Sequence, residues 1–179
     1  MRRHLVLVGL PGSGKSTVGR LAAERLGAAF SDLDEIVALA AGRSIADLFA
    51  SRGEAEFRRL ERAAMQGALA APPHLVAPGA GWVAEPGNLA GAANAFLLYL
   101  EVSPETAARR LGRGRGQGGG GPDDSRPLLG DGDPVARLRE LAERREAWYR
   151  HAGRAIDASG DPATVAALVV AVARRDAGW

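Results

Sequence analysis

Eight consecutive residues, Gly9-Leu10-Pro11-Gly12-Ser13-Gly14-Lys15-Ser16, set glycines, one ammonium and one hydroxyl at fixed spacing, with Thr17 next. The pattern is G-x-x-x-x-G-K-[ST], a phosphate-binding loop when a strand precedes it and a helix follows. Glycines let successive backbone N–H groups converge on phosphate oxygens, and the helix N-terminus adds favourable partial charge. Lys15 would bridge the β- and γ-phosphates, and the Ser16 hydroxyl would ligate Mg²⁺. Gly12, Ser13, Gly14, Lys15, Ser16 and Thr17 are therefore the candidate nucleotide-binding residues. Composition singles out the same place. Lys15 is the only lysine, and the other 22 cationic side chains are arginine. Arginine substitutes for lysine at most exposed positions, but not where a compact point charge must enter a tight loop. The loop is silent about a second substrate.

Asp32-Leu33-Asp34 follows a second strand candidate, at the strand end where open α/β sheets bind ligands. Carboxylates at i and i+2 of an extended chain point the same way. One could hold Mg²⁺ through water while the other accepts a proton from a hydroxyl. On these residues alone, Asp34 could equally cap a helix over Glu35–Ala41.

The elements that must position these groups alternate. Leu5–Val8 reads as a buried strand and Ser16–Leu26 as a helix closed by Gly27. A strand over Ala28–Ser31 precedes a helix that stops at Gly42. Ser44 caps a short helix through Ala50, and Glu54–Ala70 forms a longer one beyond Gly53. Strands are expected at Leu75–Ala77, Phe96–Leu100 and Arg154–Asp157. Helices are expected at Pro104–Leu111, Pro134–His151 and Pro162–Arg175. Glycine-rich Gly112–Gly121 reads as a mobile loop. Alternation with short connections implies a parallel sheet of about five strands covered by helices on both faces.

The chain has 179 residues, 46% hydrophobic and 25% charged, which suits one domain and excludes a disordered tail. No apolar run approaches the roughly 20 residues of a membrane span. The apolar start is interrupted at Pro11-Gly12, too early for a signal peptide, so a cytoplasmic protein is expected. Absence of cysteine removes disulfides and thiolate chemistry. The pI of 9.6 overstates the basic character, because 23 Lys+Arg face 21 Asp+Glu, a net charge of +2. No basic run carries interleaved aromatics, so nucleic acid is not the expected partner. Nor does a broad apolar stripe call for a second subunit, and a monomer is expected.

Beyond the loop, three blocks fall in order. They are Asp32-Leu33-Asp34, then Gly42-Arg43-Ser44-Ile45-Ala46-Asp47-Leu48-Phe49, then Gly53-Glu54-Ala55-Glu56-Phe57-Arg58-Arg59-Leu60-Glu61. They resemble the shikimate kinase patterns D-x-D, G-x-S-I-x-x-[IL]-F and G-E-x-x-F-R-x-x-E. Downstream, Gly79-Ala80-Gly81 is similar to that family's G-G-G segment. Arg126-Pro127-Leu128-Leu129 is similar to its lid motif R-P-L-L, and Arg145 before Trp148-Tyr149 matches its arginine on the next helix. The likeness runs from Gly9 to about Tyr149.

The resemblance implies a three-layer α/β/α P-loop kinase fold over residues 1–179, with a mobile lid at about 112–130. It implies ATP as co-substrate, Mg²⁺ as cofactor and shikimate, a small anionic polyol, as acceptor. Asp34 would orient and deprotonate the 3-hydroxyl, while Arg58 and Arg145 clamp the carboxylate with planar guanidinium forks. Gly79, Ala80 and Gly81 would offer backbone N–H groups to the acceptor. Arg126 would neutralise charge on the transferring group, Asp32 would support Mg²⁺ beside Ser16, and Arg110 would stack on adenine. One departure stands out. Ala80 replaces the middle glycine, and if the position demands a left-handed conformation its Cβ costs about 1–2 kcal/mol. The alternatives are a kinase of another small hydroxylated acid such as gluconate, or of a nucleotide, on the same fold, and a nucleotide-binding module without transfer activity.

Overall fold

A computed structural model describes residues 1–114 and 133–179; Arg126 and most of the expected lid lie outside the described residues. Five parallel strands form one sheet: β1 (Leu5–Val8), β2 (Phe30–Asp32), β3 (Leu75–Ala77), β4 (Phe96–Glu101) and β5 (Arg154–Asp157). Their order is β2-β3-β1-β4-β5. The crossover leaving β1 runs to one edge and the crossover leaving β4 runs to the other. The crevice above β1 is therefore where such a sheet receives ligands.

All four residues of β1 are buried because both faces of the strand are covered. Leu5 and Leu7 enter a core with Val18 and Ala22 of α1 (Lys15–Leu26) and Val165 and Val169 of α7 (Pro162–Asp176). Val6 and Val8 enter the opposite core, with Met65 of α3 (Ile45–Ala70) and Tyr149 of α6 (Pro134–Ala152). Period-two alternation thus feeds two cores rather than one core and solvent. Each large aliphatic side chain buried here contributes about 1.5–3 kcal/mol.

The second strand starts at Phe30 rather than Ala28 and ends at Asp32, and α2 (Leu33–Ala41) begins immediately. The two aspartates therefore do not share an extended segment. Asp32 is the N-cap, accepting the Asp34 N–H at 3.1 Å, and Asp34 sits in the first helical turn. Capping by Asp32 forces the turn two residues earlier than the apolar pattern suggested. Ser44 caps α3, which is two helices meeting at a kink at the non-helical Gly53 (φ 77°, ψ 173°), the division expected from sequence. The helix α5 (Pro104–Gly114) extends past Leu111. Two short pieces carried no sequence signal: a 3₁₀ turn at Trp82–Ala84 and α4 (Asn88–Gly91).

Candidate active site

The connection from β1 to α1 carries the phosphate-loop motif, and its backbone has the required shape. Gly12 takes φ 80°, and a Cβ there would lie 2.6 Å from the Ala107 carbonyl oxygen. Only glycine fits that approach to α5. Lys15 opens α1 and folds its ammonium over the loop, donating to the Gly9 carbonyl at 3.0 Å and the Leu10 carbonyl at 3.1 Å. Ser16 Oγ donates to Asp32 Oδ2 at 2.5 Å, joining the loop to the cap of α2. Ser13 is fully buried beneath the loop.

A cavity of about 700 Å³ opens above this loop. Gly12, Gly14, Lys15, Ser16 and Thr17 line one end, and Asp34, Arg58, Gly79, Ala80, Gly81 and Arg145 line the other. Asp32 and Arg110 also face it. The described candidates other than Ser13 therefore converge on one space, although they come from eight separate elements and loops.

The end away from the phosphate-loop motif is built by close approach. A Cβ on Gly79 would lie 2.5 Å from Glu61 Oε1 and 3.1 Å from Asp34 Oδ1. A Cβ on Gly81 would lie 2.7 Å from Arg58 Nη2 and 3.3 Å from Arg145 Nη2. Bare α-carbons at both positions let two carboxylates and two guanidiniums press against the same short segment. Ala80 lies between them without strain, because among the described residues only glycines have positive φ. The expected penalty at this substitution is absent, and the Cβ is accommodated. Its carbonyl accepts the Tyr149 hydroxyl at 2.5 Å. Tyr149 stacks on Tyr99 with centroids 5.0 Å apart, and burial pushes its hydroxyl pKa up to about 12. It therefore stays a donor across the working pH range.

Arg58 is buried on α3 and ringed by acids: Glu61 at 2.8 Å, Glu54 at 3.1 Å and Glu85 at 3.4 Å. Burial works against its charge, but these carboxylates outweigh it and hold the guanidinium above its ordinary range. Glu61 is itself 1% exposed, and burial raises its pKa more than Arg58 lowers it. Its Oε1 has no hydrogen-bond partner, and neither does the buried Nη1 of Arg145. Arg145 lines the cavity, so its buried orphan is one that a polar ligand would satisfy.

Beside the phosphate-loop motif, Arg110 donates to the carbonyls of Ser13 (3.2 Å), Ala158 (2.8 Å), Ser159 (3.0 Å) and Gly160 (2.8 Å). These bonds immobilise a planar cation between the phosphate loop and the β5–α7 connection. Ser159, Gly160, Asp161 and Pro162 line the cavity there, in a connection that carries no sequence motif. Ile45, Phe49 and Phe57 form an unanticipated apolar wall, the two rings 4.7 Å apart. Phe49, Phe57 and Glu61 stood inside the quoted motifs, which was the available signal.

A family model described as shikimate kinase matches residues 11–174. The chain belongs to the shikimate kinase family. A shikimate kinase from Symbiobacterium thermophilum is 45% identical over 150 residues, covering 83% of this chain and 82% of the relative. The structure of a shikimate kinase from Acinetobacter baumannii in complex with shikimate superposes with a TM-score of 0.86. It is 27% identical and covers 96% of this chain and 93% of that one. A gluconokinase from Sinorhizobium meliloti, with a TM-score of 0.58 and 19% identity, covers 99% of this chain and 94% of its own. That likeness extends to the fold alone. The five-stranded parallel sheet with helices on both faces is thus the shikimate kinase P-loop fold.

Proposed function

We propose that the protein transfers the γ-phosphoryl group of ATP to the 3-hydroxyl of shikimate, giving shikimate 3-phosphate and ADP. The convergence of Lys15, Asp34, Arg58 and Arg145 on one cavity carries this reading. Phosphoryl transfer demands positioning and charge neutralisation more than covalent help from the protein. Lys15 and the loop amides hold the triphosphate. Arg58 and Arg145 grip the acceptor carboxylate, and the unpartnered Nη1 of Arg145 gains its missing acceptor. Asp34 orients the hydroxyl and takes its proton as the oxygen–phosphorus bond forms. The bond from the γ-phosphorus to the bridging oxygen breaks, and ADP leaves with that electron pair.

Ser16 Oγ and Asp32 Oδ2, 2.5 Å apart, are hard oxygen donors at the phosphate end and fit Mg²⁺. The ion, when bound, would screen the β- and γ-phosphate charge. Arg110, fixed by four carbonyls, offers its planar face to adenine, and Arg126 is read as the cation that meets the transferring group. We read residues 1–179 as one domain acting as a cytoplasmic monomer on small molecules, without nucleic acid or membrane. No helix among the described residues is long and apolar enough to cross a membrane.

The test is ADP release with MgATP and shikimate, gluconate, AMP or no acceptor. Turnover stimulated by shikimate alone is expected. Stimulation by gluconate or AMP instead would transfer the assignment to those acceptors, and nucleotide binding without acceptor-dependent turnover would leave a binding module.

A further inference from the structure

Resting on the acceptor assignment above, we infer that Glu85 is a built-in competitor for Arg58 and sets how tightly the site takes a carboxylate. Glu54 and Glu61 lie four residues before and three after Arg58 on α3, so they travel with it as parts of one helix. Glu85 belongs to another element. It ends the 3₁₀ turn that Gly81 begins, and its Oε1 stands 3.4 Å from Arg58 Nε. Its side chain is 29% exposed, whereas that of Arg58 is 9% exposed. Glu85 can thus swing to water while the arginine stays fixed.

The same short stretch therefore carries both the surface on which the acceptor would lie and an acid directed at the acceptor's own counter-ion. Three carboxylates around Arg58, with Asp34 nearby, leave the acceptor end short of positive charge despite Arg145. An entering carboxylate meets repulsion from Glu85 and competes with it for the guanidinium. An uncharged acceptor of the same shape meets neither effect. Glu85 accordingly lowers affinity for anions selectively and eases release of an anionic product.

Direct binding of shikimate and of shikimate methyl ester to wild type and Glu85→Gln, titrated without nucleotide, tests this. Removing one partly exposed charge is expected to tighten shikimate about three- to fivefold and leave the ester unchanged. Glu56→Gln, which removes a partly exposed acid paired with Arg59 elsewhere on α3, is expected to match wild type. Weaker shikimate binding in Glu85→Gln would show that Glu85 holds Arg58 in place, overturning the inference. So would equal effects on acid and ester, or no effect on either. Failure of wild type to bind shikimate at all would instead overturn the acceptor assignment, and this inference with it.

Discussion

Gly81→Ala tests the proposed acceptor clamp. Gly81 has φ −89° and ψ −11°, a conformation alanine adopts without strain, so the added methyl is the only perturbation. That methyl would stand 2.7 Å from Arg58 Nη2 and 3.2 Å from Nη1, with Arg145 Nη2 at 3.3 Å. Ordinary contact between such atoms is roughly 3.5 Å, so the Arg58 guanidinium must retreat by about 0.8 Å. It has little room, because Glu61 and Glu54 pin it at 2.8 and 3.1 Å in a buried setting. Displacing one charge-assisted bond to the acceptor costs about 2 kcal/mol, or roughly thirtyfold in affinity. Coupled ADP-release kinetics should show the shikimate KM rising by about that factor while the ATP KM stays within twofold. An unchanged shikimate KM, or parallel rises in both constants, would refute the clamp. Ala80→Gly is the internal control. Its backbone has no positive φ to relieve, so KM should hold while stability falls by about 0.5–1 kcal/mol in thermal melts.

Other outcomes follow from the same geometry. Lys15→Ala should cut turnover by at least about a hundredfold, with an unaltered circular dichroism spectrum, because its ammonium lies over the loop rather than in a core. Asp34→Asn should lose turnover by a similar factor while calorimetry finds shikimate bound within a few-fold of wild type. Wild-type turnover in that variant would remove the carboxylate from the proton path. Glu61 has a raised pKa in the folded protein, so the folded state holds its proton more tightly than the unfolded chain does. Its favourable contribution is present below the ordinary value of 4.5 and lost as pH rises through the folded value. Melting temperatures at pH 5 and 8 should therefore drift in favour of Glu61→Gln as pH increases, and the opposite drift would refute the sign.

What sequence alone disclosed was local. The loop from Gly9 to Ser16 declares itself because every requirement of the chemistry lies within eight residues. Gly27 and Gly42 announce helix ends for the same reason, each terminating its helix in a left-handed conformation. Misreadings arose where distant contacts decide. Asp32 rather than Asp34 caps α2, and the Ser16 hydroxyl bonded to it lies sixteen residues away. Trp82–Ala84 and Asn88–Gly91 hold each other through Asn88 Nδ2 and the Trp82 carbonyl, with no helical periodicity to betray them. The anchors of Arg110 lie 48 to 97 residues away, so no motif spacing could have revealed them. Ala80 looked damaging because a missing glycine suggests a left-handed backbone. The need for glycine here is close approach at Gly79 and Gly81, one residue to either side.

The single lysine has a practical consequence beyond its proposed role. Apart from the terminal amine of Met1, Lys15 carries the only aliphatic amine in the chain. An amine-directed acylating reagent thus has one internal target, at the mouth of the nucleotide pocket. Its labelling rate becomes a gauge of pocket occupancy that needs no engineered tag, and random coupling to an amine-reactive resin would bias the molecule toward blocking itself.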